Sequence, residues 1–207
     1  QFLNCKCTVK MTPLHQFGTD LLSKYKVDTT KKDKAFSQQF LAHIGAIENL
    51  FDEVYAYHPK RNEAFEGLLI TLIQQYKERS NVLLKKDVEK SKLGRWYLSN
   101  EITGMSLYVD RFSENIQGLQ KKLDYFKELG VNFLHLMPIF ESPEGESDGG
   151  YAVSDFRKVA SRFGNLQDVE NLIADMNASN MYLMLDIVLN HTSHHHEWAQ
   201  KAKGGDP

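Results

Sequence analysis

The sequence predicts an α/β chain in two parts: helices packed on helices, then strands alternating with helices around a parallel sheet. Three observations predict it. Apolar residues recur at helical spacing between Phe36 and Tyr76, and past Gly94 they gather into short runs separated by amphipathic stretches. Those runs show little polar alternation, the pattern of parallel strands covered on both faces. Composition agrees, since 207 residues at 42% hydrophobic and 25% charged, with 13 Gly and 5 Pro, can build sizeable cores and do not read as disordered.

Residues 1–29 form an N-terminal segment of uncertain structure. The chain begins with Gln1 and reaches its first methionine at Met11, so residues 1–10 are left out of the fold reasoning. Phe36, Phe40, Ile44, Ile47, Phe51 and Val54 lie on one helical face, and His58-Pro59 ends that helix. Phe65, Leu68, Leu69, Leu72, Ile73 and Tyr76 mark a second helix opened by Asn62, and a short third helix covers Asp87 to Ser91. Residues 30–92 therefore read as a helical domain whose aromatic stripes are core packing. Residues 93–207 read as the α/β part. Met105 to Val109 is a strand, Ile116 to Leu129 a helix stopped by Gly130, and Val131 to Met137 a strand ended by Pro138. A loop rich in Gly, Ser and acids follows from Glu141 to Gly150, then a helix at Leu166 to Met176 and a strand at Met181 to Leu189.

Several function classes drop out. A net charge of −2, from 25 Lys+Arg against 27 Asp+Glu, leaves no basic excess for phosphates, so no nucleic-acid partner is expected. No run approaches a membrane span, and no secretory apolar region opens the chain, so no membrane partner is expected. Cys5 and Cys7, one residue apart, can neither staple a distant loop nor complete a four-ligand zinc site. A reduced, cytoplasmic setting is the expectation. Neither glycine-rich nucleotide fingerprint is present.

Functional loops of a parallel sheet belong at the C-terminal strand ends, and polar residues crowd there. The loop after the second strand holds Ser147-Asp-Gly-Gly-Tyr151 and Ser154-Asp155, and the third strand runs Asp186-Ile-Val-Leu-Asn190-His191. An aspartate inside an apolar strand must meet a partner, water or ligand. Alternation would put Asp186, Val188 and Asn190 on one face, letting Asp186 and Asn190 address the same space. A hydrogen-bond network that merely shapes the loop is the alternative.

Asp186-Ile-Val-Leu-Asn190-His191 resembles the third-strand signature of the α-amylase superfamily, glycoside hydrolase family 13, and Asp148-Gly-Gly150-Tyr151 resembles an element of that family's sugar pocket. Tyr125 to Pro138, Ser142-Pro-Glu-Gly145, Ser147 to Asp155 and Asn190-His-Thr-Ser193 followed by Glu197-Trp198 look like amylosucrases, the sucrose-using branch. The likeness runs from about Trp96 to Pro207. It implies a helical N-terminal domain followed by the first three β/α units of a (β/α)8 barrel, in an N-terminal part of a longer enzyme. The implied reaction is retaining transfer of glucose from sucrose to an α-glucan or water, through two carboxylates on strands beyond Pro207. Sucrose and α-glucan are the implied partners. Asp148 would bind glucosyl hydroxyls, Tyr151 would stack on the ring, and His191 would donate to a glucosyl hydroxyl. Asp186 and Asn190 would orient these groups, and neither a cofactor nor a metal is implied. Sucrose hydrolysis, another α-glucosidase activity and a noncatalytic carbohydrate-binding or scaffold role are the alternatives.

His194-His195-His196 raises zinc, because neutral imidazoles are common ligands. Three consecutive side chains on an extended loop diverge, so this run is expected to be a solvated loop with no metal.

Overall fold

The computed structural model describes residues 12–205, so Cys5 and Cys7 lie outside the described residues. Backbone packing divides the chain into two compact units between Trp96 and Tyr97.

The first unit is helical. Helix α1 (Pro13–Lys24) opens with Thr12, whose hydroxyl accepts from the His15 amide, and with a proline in its first turn. Its presence was not expected in residues 1–29. Helices α2 (Lys34–Tyr55) and α3 (Arg61–Glu78) carry the two apolar stripes. The core gathers Leu21, Leu22, Val27, Phe40, Ile44, Phe65, Leu69 and Ile73, while Val54 is exposed because the stripe outruns the partner surface. Gly18 lets α1 approach α2, since a Cβ there would lie 2.8 Å from Ile44 Cδ1. Asn62 sits inside α3 rather than capping it, and Lys60 holds the cap position. The third expected helix is longer than expected: α4 (Asn81–Leu93) starts where the Ser80 hydroxyl accepts from the Leu83 amide.

The second unit is α/β. Strands β1 (Gly104–Leu107) and β2 (Phe133–Leu136) run parallel. The connection between them holds three short helices, α5 (Val109–Ser113), α6 (Ile116–Gln120) and α7 (Leu123–Glu128), where one helix was expected. Lys121 and Lys122 break it, and Gly130 leaves α7 with φ of 72°. The segment expected as a loop holds an antiparallel pair, β3 (Phe140–Glu141) with β4 (Asp155–Val159), whose register shifts at Phe140/Glu141. Helix α8 (Leu166–Ala178) follows, then β5 (Tyr182–Leu185), parallel to β2, and a last helix α9 (Glu197–Lys203). The parallel sheet has the order β1-β2-β5.

One face of that sheet, with Leu107, Leu134 and Leu136, packs into a core with Ile116, Leu119, Phe126, Leu172 and Met176. By alternation the other face carries Gly104, Ser106, Phe133, His135, Tyr182 and Met184. Burial on both faces was expected, yet Ser106 and Met184 are exposed. Among the described residues the helices of this unit cover one face only.

Candidate functional site

The open face ends in a polar chain. In the register of β2 and β5, Leu136 pairs with Leu185, so Asp186 emerges just past the strand and its amide still donates to Leu136 carbonyl oxygen at 3.4 Å. His135, one residue before Leu136, therefore faces Asp186, and its Nε2–H donates to Asp186 Oδ1 at 2.7 Å. A carboxylate only accepts, so Nε2 holds a proton, and Nδ1 shares a hydrogen bond with the Ser106 hydroxyl at 3.1 Å. Tyr151 completes the chain, its hydroxyl donating to Asp186 Oδ2 at 2.7 Å. Both carboxylate oxygens are thus satisfied in a half-buried setting.

Electrostatics follow from these bonds. The Tyr151 hydroxyl and then the His135 ring favour the charged form and hold Asp186 below the usual carboxylate range. Reciprocally, the bond to Asp186, with burial behind it, pushes Tyr151 up to about 12. Asp186 is fixed as an acceptor and Tyr151 as a neutral donor.

Tyr151 is aimed by a tight turn. Asp148–Gly150 forms a 3-10 turn with Asp148 at φ 47° and Gly150 at φ 98°. A Cβ on Gly150 would lie 2.8 Å from the Pro138 carbonyl oxygen, so only glycine allows this approach. Asp148 is exposed on the turn, its carbonyl accepting from the Tyr151 amide at 3.3 Å.

The expected site residues therefore divide. Tyr151 and Asp186 are joined directly. His191 and Asn190 are exposed beyond β5, and among the described residues no side-chain hydrogen bond links them or Asp148 to that pair. The expected common face of Asp186, Val188 and Asn190 is corrected: pleating stops at Leu185, Val188 is buried and Asn190 is exposed. His135 was missed as the partner of Asp186, although a histidine one residue before the end of an apolar strand was a visible signal. A cavity of about 400 Å³ flanks the turn, lined by residues including Tyr108, Asp110, Ser147 and Gly149. A larger one, about 840 Å³, lies along Glu141, Ser142, Asp155 and Lys158, and Asp148, Tyr151 and Asp186 are not among its lining residues.

The histidine run is exposed at His194 and His195, as expected of a loop, but its neighbouring side chains do not all diverge. The Ser193 carbonyl accepts from the His196 amide at 3.0 Å, a β-turn with His194 and His195 at its centre. His194 Nε2 and His195 Nε2 lie 3.7 and 4.0 Å from Glu146 Oε2, so two of the three converge. Only His196 turns inward, where its Nδ1 accepts from the Trp198 amide.

Residues 73–206 match the alpha-amylase catalytic domain. An oligo-1,6-glucosidase of Bacillus cereus is 44% identical over 84 residues, 41% of this chain and 15% of that protein. An alpha-glucosidase of Schizosaccharomyces pombe is 40% identical over 122 residues, 56% of this chain and 20% of that protein. A palatinase of Erwinia rhapontici is 40% identical over 84 residues, 41% and 15% respectively. The chain thus spans a fifth or less of the length of these relatives. The isomaltulose synthase structure from Erwinia rhapontici NX5 aligns at 33% identity and a TM-score of 0.47, over 50% of this chain and 19% of that one. No helix among the described residues is long and apolar enough to cross a membrane. With the signature strand, the turn before Tyr151 and a match over residues 73–206, the chain belongs to the α-amylase family of glycoside hydrolases.

Proposed function

We propose that this chain supplies the donor-sugar side of a retaining α-glucosyl-transferring enzyme built on the first three β/α units of a (β/α)8 barrel. The helical unit up to Trp96 is its helical domain, and the unit from Tyr97 is its share of the barrel. The observation that carries the reading is the Tyr151–Asp186–His135 chain at the strand ends. It holds the Tyr151 ring at the strand ends, and Asp148 and His191 are exposed, which supports reading all three as sugar-binding residues. Asp148 accepts from hydroxyls of the glucosyl ring, Tyr151 packs on its face, and His191 donates to a hydroxyl. A donor there strengthens as oxocarbenium charge develops. Asp186 and Asn190 act as positioning residues. Nucleophile and acid/base, which must stand about 5 Å apart in retaining chemistry, come from strands outside these 207 residues.

For the donor we propose sucrose, with glucose passed to an α-glucan and fructose released, on the strength of the amylosucrase-like runs Ser142 to Gly145 and Ser147 to Asp155. Hydrolysis of other α-glucosides is the second reading, favoured by relatives named oligo-1,6-glucosidase and alpha-glucosidase. Kinetics on the product of the whole reading frame decide. Asp148→Ala or His191→Ala lowers turnover about 10²-fold or more with the fold intact, the effect of losing a transition-state hydrogen bond. Wild-type kinetics in either variant removes that residue from the site. Fructose release with glucan formation supports the first donor, and activity confined to isomaltose the second.

A further inference from the structure

Glu146 sits on the β3–β4 connection, and His194 and His195 on the turn after β5. Their carboxylate and imidazole atoms all lie within 4.8 Å of one another. The separations from Glu146 Oε2, 3.7 and 4.0 Å, are too long for hydrogen bonds. The two imidazole rings lie 4.1 Å apart, centroid to centroid. A cation held between the three groups accounts for two rings turned toward one carboxylate without a hydrogen bond to it. Around zinc, with ligands at about 2.0–2.1 Å, tetrahedral neighbours stand roughly 3.4 Å apart. The two separations from Glu146, 3.7 and 4.0 Å, lie close to that, and all three ligand atoms stand within 4.8 Å of one another, so side-chain rotation can bring them onto one ion.

The turn that presents the rings is held from below. Ser193 is buried, its amide donates to the Val153 carbonyl at 2.8 Å, and its hydroxyl accepts from the His195 amide at 3.1 Å. Gln200 Nε2 donates to the His194 carbonyl. Acidic Glu141, Glu144, Asp155 and Glu197 line the cavity that His195 also borders, alongside Lys158 and Arg162.

We propose that Glu146, His194 and His195 form a site for a borderline divalent cation of the zinc type, with water completing the coordination shell. Bound there, the ion ties the turn after β5 to the segment carrying the Asp148 turn, two residues from Glu146. The proposal stands apart from the glucosidase reading, because its readout is the metal alone.

The test is titration of the product of the whole reading frame with Zn²⁺ by calorimetry, and with Co²⁺ by visible absorption, in a Cys5→Ser/Cys7→Ser background that removes these two thiols. One equivalent binds, and Co²⁺ develops the intense bands of a tetrahedral nitrogen and oxygen site. Glu146→Gln, His194→Ala and His195→Ala each weaken Zn²⁺ by more than the about 10- to 100-fold that losing an outer partner costs. His43→Ala, a surface histidine bonded to Gln39, leaves affinity unchanged. Circular dichroism confirms that each variant is folded. No binding at micromolar Zn²⁺, or equal binding by the parent and the three ligand variants, overturns the site.

Discussion

Asp186 shows how one residue can be half legible. Its charge at the end of an apolar strand demands partners, which is a matter of desolvation and is visible in the sequence. Their identity is not, because His135 lies 51 positions away and is brought opposite by strand register, and Tyr151 by a glycine turn. The bonds have a pH signature. Asp186 is held below its usual range, so its contribution to stability is present above about 3.9, the ordinary carboxylate value, and is lost as pH falls through the lower folded value. Asp186→Asn should therefore flatten the acid limb of stability below about pH 4, measured as urea midpoint against pH. The same variant should bring Tyr151 ionisation down from about 12 toward 10, read from tyrosinate absorbance. A Tyr151 titration unmoved by Asp186→Asn would break the link between the two side chains.

At the scale of elements, the long periodic helices were legible and the short ones were not. Helix α2 carries its stripe over 22 residues, so its period outweighs local noise. The β3–β4 pair offers two residues on one side and a register shift, too little alternation to be seen. Breaking the expected helix into α6 and α7 leaves only Lys121-Lys122 as a mark, and both are good helix formers. Caps were more informative than they were taken to be. Asn165 opens α8 with a capping box: its side chain accepts from the Asp168 amide, and Asp168 Oδ2 accepts from the Asn165 amide at 2.9 Å. Asp168 Oδ1 also accepts from Gln117 Nε2 at 2.8 Å, which ties α8 to α6. Asn165→Ala should cost about 1 kcal/mol and Asp168→Ala more, because the latter breaks the cap and the tie together. Chemical denaturation with an unchanged m-value checks the order, and equal losses would show that the Gln117 bond contributes nothing.

Over the whole molecule, the fold class was legible because the change of periodicity past Gly94 coincides with a change of architecture. What composition did not reveal is how unevenly the α/β unit is covered. In the order β1-β2-β5, β1 and β5 are outer strands among the described residues, and beyond β5 Ile187 and Leu189 stand 60% and 85% exposed. An outer strand with free backbone groups beside exposed apolar side chains is a template for pairing with another chain. The 207-residue chain should accordingly self-associate, with light scattering that rises with concentration. Ile187→Lys with Leu189→Lys should reduce it, since both side chains are already in water and lose no packing. The same chain should release no fructose from sucrose: a retaining mechanism needs two carboxylates flanking the scissile bond, and Asp186 already has both oxygens engaged by His135 and Tyr151. Fructose release by the purified chain, abolished by Asp186→Asn, would place the nucleophile on the strand assigned here to orientation, and the division of labour proposed for the site would be reversed.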